Sequence, residues 1–149
     1  MKIALFAGSF DPFTIGHKDI VERALPLFDK MIIGIGFNIN KKYMFSAEES
    51  KKNITLMFKN EPKIEVKIYN GLTADFAKQH NVNFFVRSVR NFQDFEFERN
   101  LAEINKKISG IETLILFAKP EFAHISSSMV RELMSYGKDV SEFLPIIQK

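Results

Sequence analysis

Five short apolar runs punctuate the chain, KIALFAG, KMIIGIGF, KIEVKIY, NFFVR and ETLILF, set roughly 25 residues apart with segments of helical period between them. That alternation predicts repeated strand-helix units and hence an α/β fold. Ile3 to Ala7 and Met31 to Phe37 are almost continuously apolar, as parallel strands covered on both faces are. KIEVKIY alternates instead, with Ile64, Val66 and Ile68 on one side, which predicts an edge strand.

The intervening helices have readable faces and ends. In the first, His17, Ile20, Val21, Ala24 and Phe28 share one side at i, i+3, i+4 spacing. Ser46 with Glu49 three residues later predicts a capping box for a helix reaching about Phe58. The fourth helix is expected to turn Phe97, Leu101, Ile104 and Ile108 inward, and Gly137 to close a helix that begins near Ser127. With no linker, repeat or low-complexity tract, residues 1–149 are predicted to form a single Rossmann-like domain: a five-stranded parallel sheet with helices on both faces and right-handed crossovers.

Composition narrows the classes of function. Hydrophobic residues make up 46% of the 149, including sixteen Phe and no Trp, enough for a core without staples. The absence of cysteine excludes disulfides, thiolate metal sites and cysteine nucleophiles, and fits a reducing compartment, so a cytoplasmic location is expected. MKIALFAGSF lacks a long apolar segment with a small-residue cleavage site, and no apolar run approaches the ~18 residues of a membrane span. The 21 basic residues are dispersed among 18 acidic ones, which points to a small anionic ligand rather than to nucleic acid.

In a parallel α/β sheet, ligands bind beyond the carboxyl ends of the strands. Those ends are Ser9 to His17, Asn38 to Lys42, Arg87 to Arg90 and Ile125 to Ser128. Each offers phosphate-binding chemistry: Gly8 and Gly16 for close backbone approach, the Ser9 hydroxyl, the positive charge of Lys41, Arg87 and Arg90, and a serine run opening a helix whose free N–H groups favour an anion. Taken singly, each has a plainer reading. A lone histidine on an apolar helix face is ordinarily a buried structural one, Lys41 and Lys42 are ordinary solvated lysines, and Ser126 to Ser128 an ordinary N-cap. Arg87 and Arg90 fit a surface ion pair as well as an anion site, and Asp94 and Glu98, one turn apart, fit a solvated helix face as well as a nucleotide-facing edge. What favours a site is convergence, since His17 opens a helix directly after a strand where an imidazole can donate to a bound phosphate.

Other chemistries fit poorly. GIG at Gly34 to Gly36 lies inside an apolar run without the third glycine of a dinucleotide fingerprint, and there is no P-loop. His17, His80 and His124 lack metal-ligand spacing, and Ser9 lacks the far glycine of a nucleophile elbow.

GSFDPFTIGH, containing Thr14-Ile15-Gly16-His17, resembles the first signature of the nucleotidyltransferase superfamily, and ISSS at Ile125 to Ser128 the second. With KKYMF at Lys41 to Phe45, RSVRNFQDFEFE at Arg87 to Glu98 and FAHISSSMVRE, the chain resembles the bacterial phosphopantetheine adenylyltransferases over essentially its whole length. The resemblance implies transfer of the AMP part of ATP to 4'-phosphopantetheine, giving dephospho-coenzyme A and pyrophosphate in coenzyme A synthesis. It implies direct in-line attack without a covalent enzyme intermediate, Mg²⁺ as cofactor, a homohexamer and feedback by coenzyme A.

By the same resemblance His17 would hold the α-phosphate and stabilise the transition state, Lys41 would bind the attacking phosphate, and Arg87 would grip the pantetheine phosphate. Ser9 and Phe10 would meet both ligands and Thr73 the pantetheine arm; Ser88, Val89, Arg90, Glu98, Phe122, Ala123, His124, Ile125, Ser126, Ser127 and Ser128 would surround ATP. Two positions depart from the family pattern: Ser88 stands where the family has glycine in RGLR, and Ile15 where it has asparagine. The alternatives are a superfamily transferase acting on nicotinate mononucleotide or an alcohol phosphate, or a nucleotide-binding module without chemistry.

Overall fold

The computed structural model describes residues 1–147. Its strands are β1 (Ile3–Gly8), β2 (Lys30–Gly36), β3 (Ile64–Tyr69), β4 (Phe84–Val89) and β5 (Glu112–Phe117), and its helices α1 (Ile15–Ala24), α2 (Ala47–Met57), α3 (Thr73–Gln79), α4 (Phe92–Ser109) and α5 (Ser127–Ser135). The strands form one parallel sheet in the order β3-β2-β1-β4-β5. All five predicted strands are present, and KIEVKIY lies at an edge as its alternation requires. None of the helices among the described residues is long and apolar enough to cross a membrane.

Period-2 alternation in the central strands builds two cores. Ala4 and Phe6 of β1 join Met31, Ile33 and Ile35 of β2 under α1 and α2, where Ile20, Val21, Ala24 and Ile54 close the layer. Leu5 and Ala7, on the opposite face, pack with Ile32, Phe85 and the α3 residues Phe76 and Ala77. Gly34 is closely packed on the α3 side of the sheet, where a Cβ would lie 2.9 Å from Leu5 Cδ1 and 3.1 Å from the Tyr69 ring. The GIG run is therefore a packing feature of β2.

Local ends follow the chemistry of their residues, with some differences from expectation. Of the capping box expected at Ser46 only one half forms, Ser46 Oγ accepting the N–H of Glu49, and Gly137 adopts φ +74° just past α5. The first helix ends at Ala24, so Phe28 reaches the core from beyond a short 3-10 turn. β4 continues through Val89, so Arg87 and Ser88 belong to the strand and only Arg90 to the loop after it.

The last difference is the orientation of α4. Phe97, Ile104 and Ile108 are 64%, 53% and 43% exposed, whereas Glu98 is the helix's buried residue. Glu98 is turned inward, where it pairs with Arg87 of β4, and the apolar stripe faces outward.

Candidate active site

The sheet order reverses at β1, whose neighbours β2 and β4 lead to opposite edges, and the carboxyl ends of β1 and β4 meet at this switch point. Two clefts open there. One, of about 330 Å³, is lined by the N-termini of α1 and α5 (Thr14, Gly16, His17, Ser126, Ser127), by Arg87, Ser88 and Arg90 of β4 and its loop, and by Asp94, Glu98 and Phe122. The other, of about 290 Å³, is lined by Gly8, Ser9, Tyr69, Thr73 and again Arg87. Arg87 is the wall common to both.

The geometry of His17 follows from its place at the third position of α1. Thr14, the N-cap, accepts the backbone N–H of His17 at 3.4 Å, while His17 Nδ1 accepts the backbone N–H of Thr14 at 2.9 Å. This is a capping box closed by histidine in place of the usual Glu or Gln. A backbone N–H can only donate, so Nδ1 must be the bare nitrogen and the neutral ring carries its proton on Nε2.

Phe6, Phe10 and Phe13 surround the imidazole, with ring centroids 6.1, 5.1 and 5.2 Å away. This desolvation, followed by the positive charge of Arg87 and then Arg90, lowers the His17 pKa from 6.5 to about 4. The ring is therefore a neutral donor at physiological pH. As pH falls from 6.5 towards 4, unfolded chains take up a proton that folded ones refuse, so His17 lowers stability through that window and not above it. NMR titration should find the His17 midpoint near 4; a midpoint near 6.5 would contradict the desolvated, capped ring.

Arg87 is held by three bonds. Its Nε and Nη2 donate to Glu98 Oε2 and Oε1 at 2.8 and 2.7 Å, and Nη1 donates to the Ala7 carbonyl at 2.7 Å. One N–H on each Nη remains for a ligand, so the guanidinium is oriented without being saturated. Arg90 is steadied by Asp94, whose Oδ2 accepts from its Nε at 3.0 Å, and Asn91 caps α4 through the N–H of Asp94 at 2.9 Å. Both carboxylates that face the first cleft are thus committed to arginines. Among the described residues no group of three or more His, Cys, Asp or Glu could hold a metal ion.

The two remaining strand-end elements are arranged differently. At α5, Ser126 Oγ accepts the N–H of Met129, Ser127 Oγ donates to the Pro12 carbonyl at 2.8 Å, and Arg131 Nη2 donates to Ser128 Oγ. Ser127 thus ties the second signature to the first. Ser9 and Thr73 stand together at the second cleft, with Thr73 Oγ1 2.8 Å from the Tyr69 hydroxyl. Burial holds the Tyr69 phenol above its ordinary pKa, so it stays protonated.

Phe10 is buried in the core at 3% exposure with a left-handed φ of 49°, and it lines neither cleft. Val89 is likewise buried, Ile125 lines the first cleft, and Ala123, His124 and Ser128 flank that cleft without lining it. Lys41 is exposed on the loop between β2 and α2, outside both clefts. Of the departures, Ser88 lines the first cleft and Ile15 does not. Sequence reasoning passed over Thr14 as the orienter of His17; the signal was a Thr-x-x-His spacing at a helix start, hidden because a capping box is sought with Glu or Gln.

A parallel sheet with two helix N-termini, a neutral histidine donor and fixed arginines at its switch point defines a nucleotide-handling transferase of the cytidylyltransferase-like class, and that family's model matches residues 5–133. The chain is 50% identical over 145 residues to the phosphopantetheine adenylyltransferase of Bacteroides thetaiotaomicron, covering 97% of this chain and 96% of the relative. It is 51% identical over 144 residues to the same enzyme of Porphyromonas gingivalis, covering 97% and 94%. The chain belongs to the phosphopantetheine adenylyltransferase family. Its fold also superposes on a bifunctional NMN adenylyltransferase/ADP ribose pyrophosphatase of Francisella tularensis with a TM-score of 0.68, at 18% identity over 97% of this chain and 44% of that one.

Proposed function

We propose that this enzyme transfers the adenylyl group of ATP to 4'-phosphopantetheine, releasing pyrophosphate and forming dephospho-coenzyme A. The observation that carries the reading is the pair of clefts sharing Arg87: one presents His17, Arg90 and the start of α5, the other Ser9 and Thr73. A nucleotide in the first and a phosphorylated acceptor in the second would meet at Arg87.

The chemistry asked of the chain is positioning and charge stabilisation. An acceptor phosphate oxygen forms the new bond to the α-phosphorus while the bond to the β-phosphate oxygen breaks, and pyrophosphate leaves with the electron pair. No proton need move and no protein nucleophile is required. His17 Nε2–H donates to the α-phosphate as charge grows, the free N–H groups of Arg87 hold the acceptor phosphate, and Lys41 joins it from its loop. Arg90 and the opening N–H groups of α5 hold the rest of the triphosphate. Mg²⁺ would arrive on phosphate oxygens and water and neutralise charge there.

The wider reading has separate support. The apolar residues left outside on α4, Phe92, Phe95, Phe97, Ile104 and Ile108, suit burial between subunits of the expected homohexamer. A cytoplasmic location accords with the absence of cysteine, and feedback by coenzyme A would follow from a product-like molecule competing for the second cleft. Function is tested by pyrophosphate release from ATP with 4'-phosphopantetheine, nicotinate mononucleotide and glycerol 3-phosphate offered side by side. Release with the first alone is expected; release with another acceptor, or with none, overturns the reading.

A further inference from the structure

We infer that Asp11 is a positioning residue for acceptor binding, acting through the loop that carries Lys41; the inference rests on Lys41 holding the acceptor phosphate. Asp11 is 3% exposed, and a buried carboxylate needs partners for both oxygens. It finds them 33 and 34 residues away, where Oδ2 accepts the N–H of Met44 at 2.9 Å and Oδ1 the N–H of Phe45 at 2.8 Å. Those amides lie at the end of the loop that carries the exposed Lys41. A carboxylate that accepts two backbone N–H groups in fixed geometry pins the end of this loop, between β2 and α2, to the segment that follows β1.

Asp11 also has a second attachment that its side chain does not make. Its carbonyl accepts from Arg131 Nη1 at 2.7 Å, next to the Ser127 bond to Pro12. Replacing the carboxylate therefore leaves the α5 side joined while freeing the Lys41 side. An amide in its place retains one acceptor but turns an NH₂ group towards a backbone N–H that also donates.

The test is a double-mutant cycle of Asp11→Asn and Lys41→Ala, read as KM for 4'-phosphopantetheine and Kd for ATP. Each single change should raise the acceptor KM on the order of tenfold with ATP affinity within about twofold, and the double variant should be no worse than Lys41→Ala alone. If Lys41→Ala leaves the acceptor KM unchanged, the Lys41 reading fails. If it raises KM but Asp11→Asn does not, or the two effects multiply, the Asp11 inference fails. Hydrogen exchange on the unaltered protein gives a test free of folding defects: the Met44 and Phe45 amides should exchange more than about tenfold slower than that of Lys42 in the same loop, and equal rates overturn the inference.

Discussion

His17→Ala should lower kcat on the order of a hundredfold or more while ATP affinity changes only a few-fold. Losing one preorganised donor to a developing oxyanion costs about 3 kcal/mol of transition-state stabilisation. The fold should survive, because the Thr14 hydroxyl still accepts the backbone N–H of residue 17 and α1 keeps half of its capping box. Steady-state kinetics with calorimetry of ATP binding separates the two effects. A variant with near-normal kcat would sink the role assigned to Nε2–H.

Arg87→Ala should do two separable things. It strands Glu98, which is 7% exposed, without the partner that holds both of its oxygens, and a buried charge left unpaired costs about 3 kcal/mol of stability. It also removes the guanidinium from the wall between the clefts, so 4'-phosphopantetheine binding should weaken more than ATP binding. Adding Glu98→Gln to Arg87→Ala should recover much of the stability and none of the acceptor affinity. Equal weakening of both ligands in calorimetry would contradict the placing of the acceptor phosphate at Arg87.

The strands were legible because a parallel sheet covered on both faces demands near-continuous apolar runs, and Ile3–Gly8 and Lys30–Gly36 supply them. The strand ends then nominated the site, and His17, Arg87, Arg90, Ser126 and Ser127 do converge on one cleft. What local pattern could not show depends on partners distant in the chain. The face α4 turns inward carries Glu98, which meets Arg87 eleven residues earlier, while the apolar stripe through Phe97 and Ile104 faces outward. Lys41 sits on a loop held by Asp11 from more than thirty residues away, a bond that neither segment announces. The tautomer of His17 was closer to hand, since it follows from Thr14 and helix-start geometry alone once histidine is allowed to close a capping box.

In the proposed mechanism the chain holds two phosphates in line and supplies donors and charge but no nucleophile. The stereochemical course at the α-phosphorus tests that most directly. With ATP made chiral there by a single sulfur and 4'-phosphopantetheine as acceptor, the account predicts dephospho-coenzyme A of inverted configuration, as one in-line displacement requires. Retention, the mark of two successive displacements through a covalent protein intermediate, would contradict it.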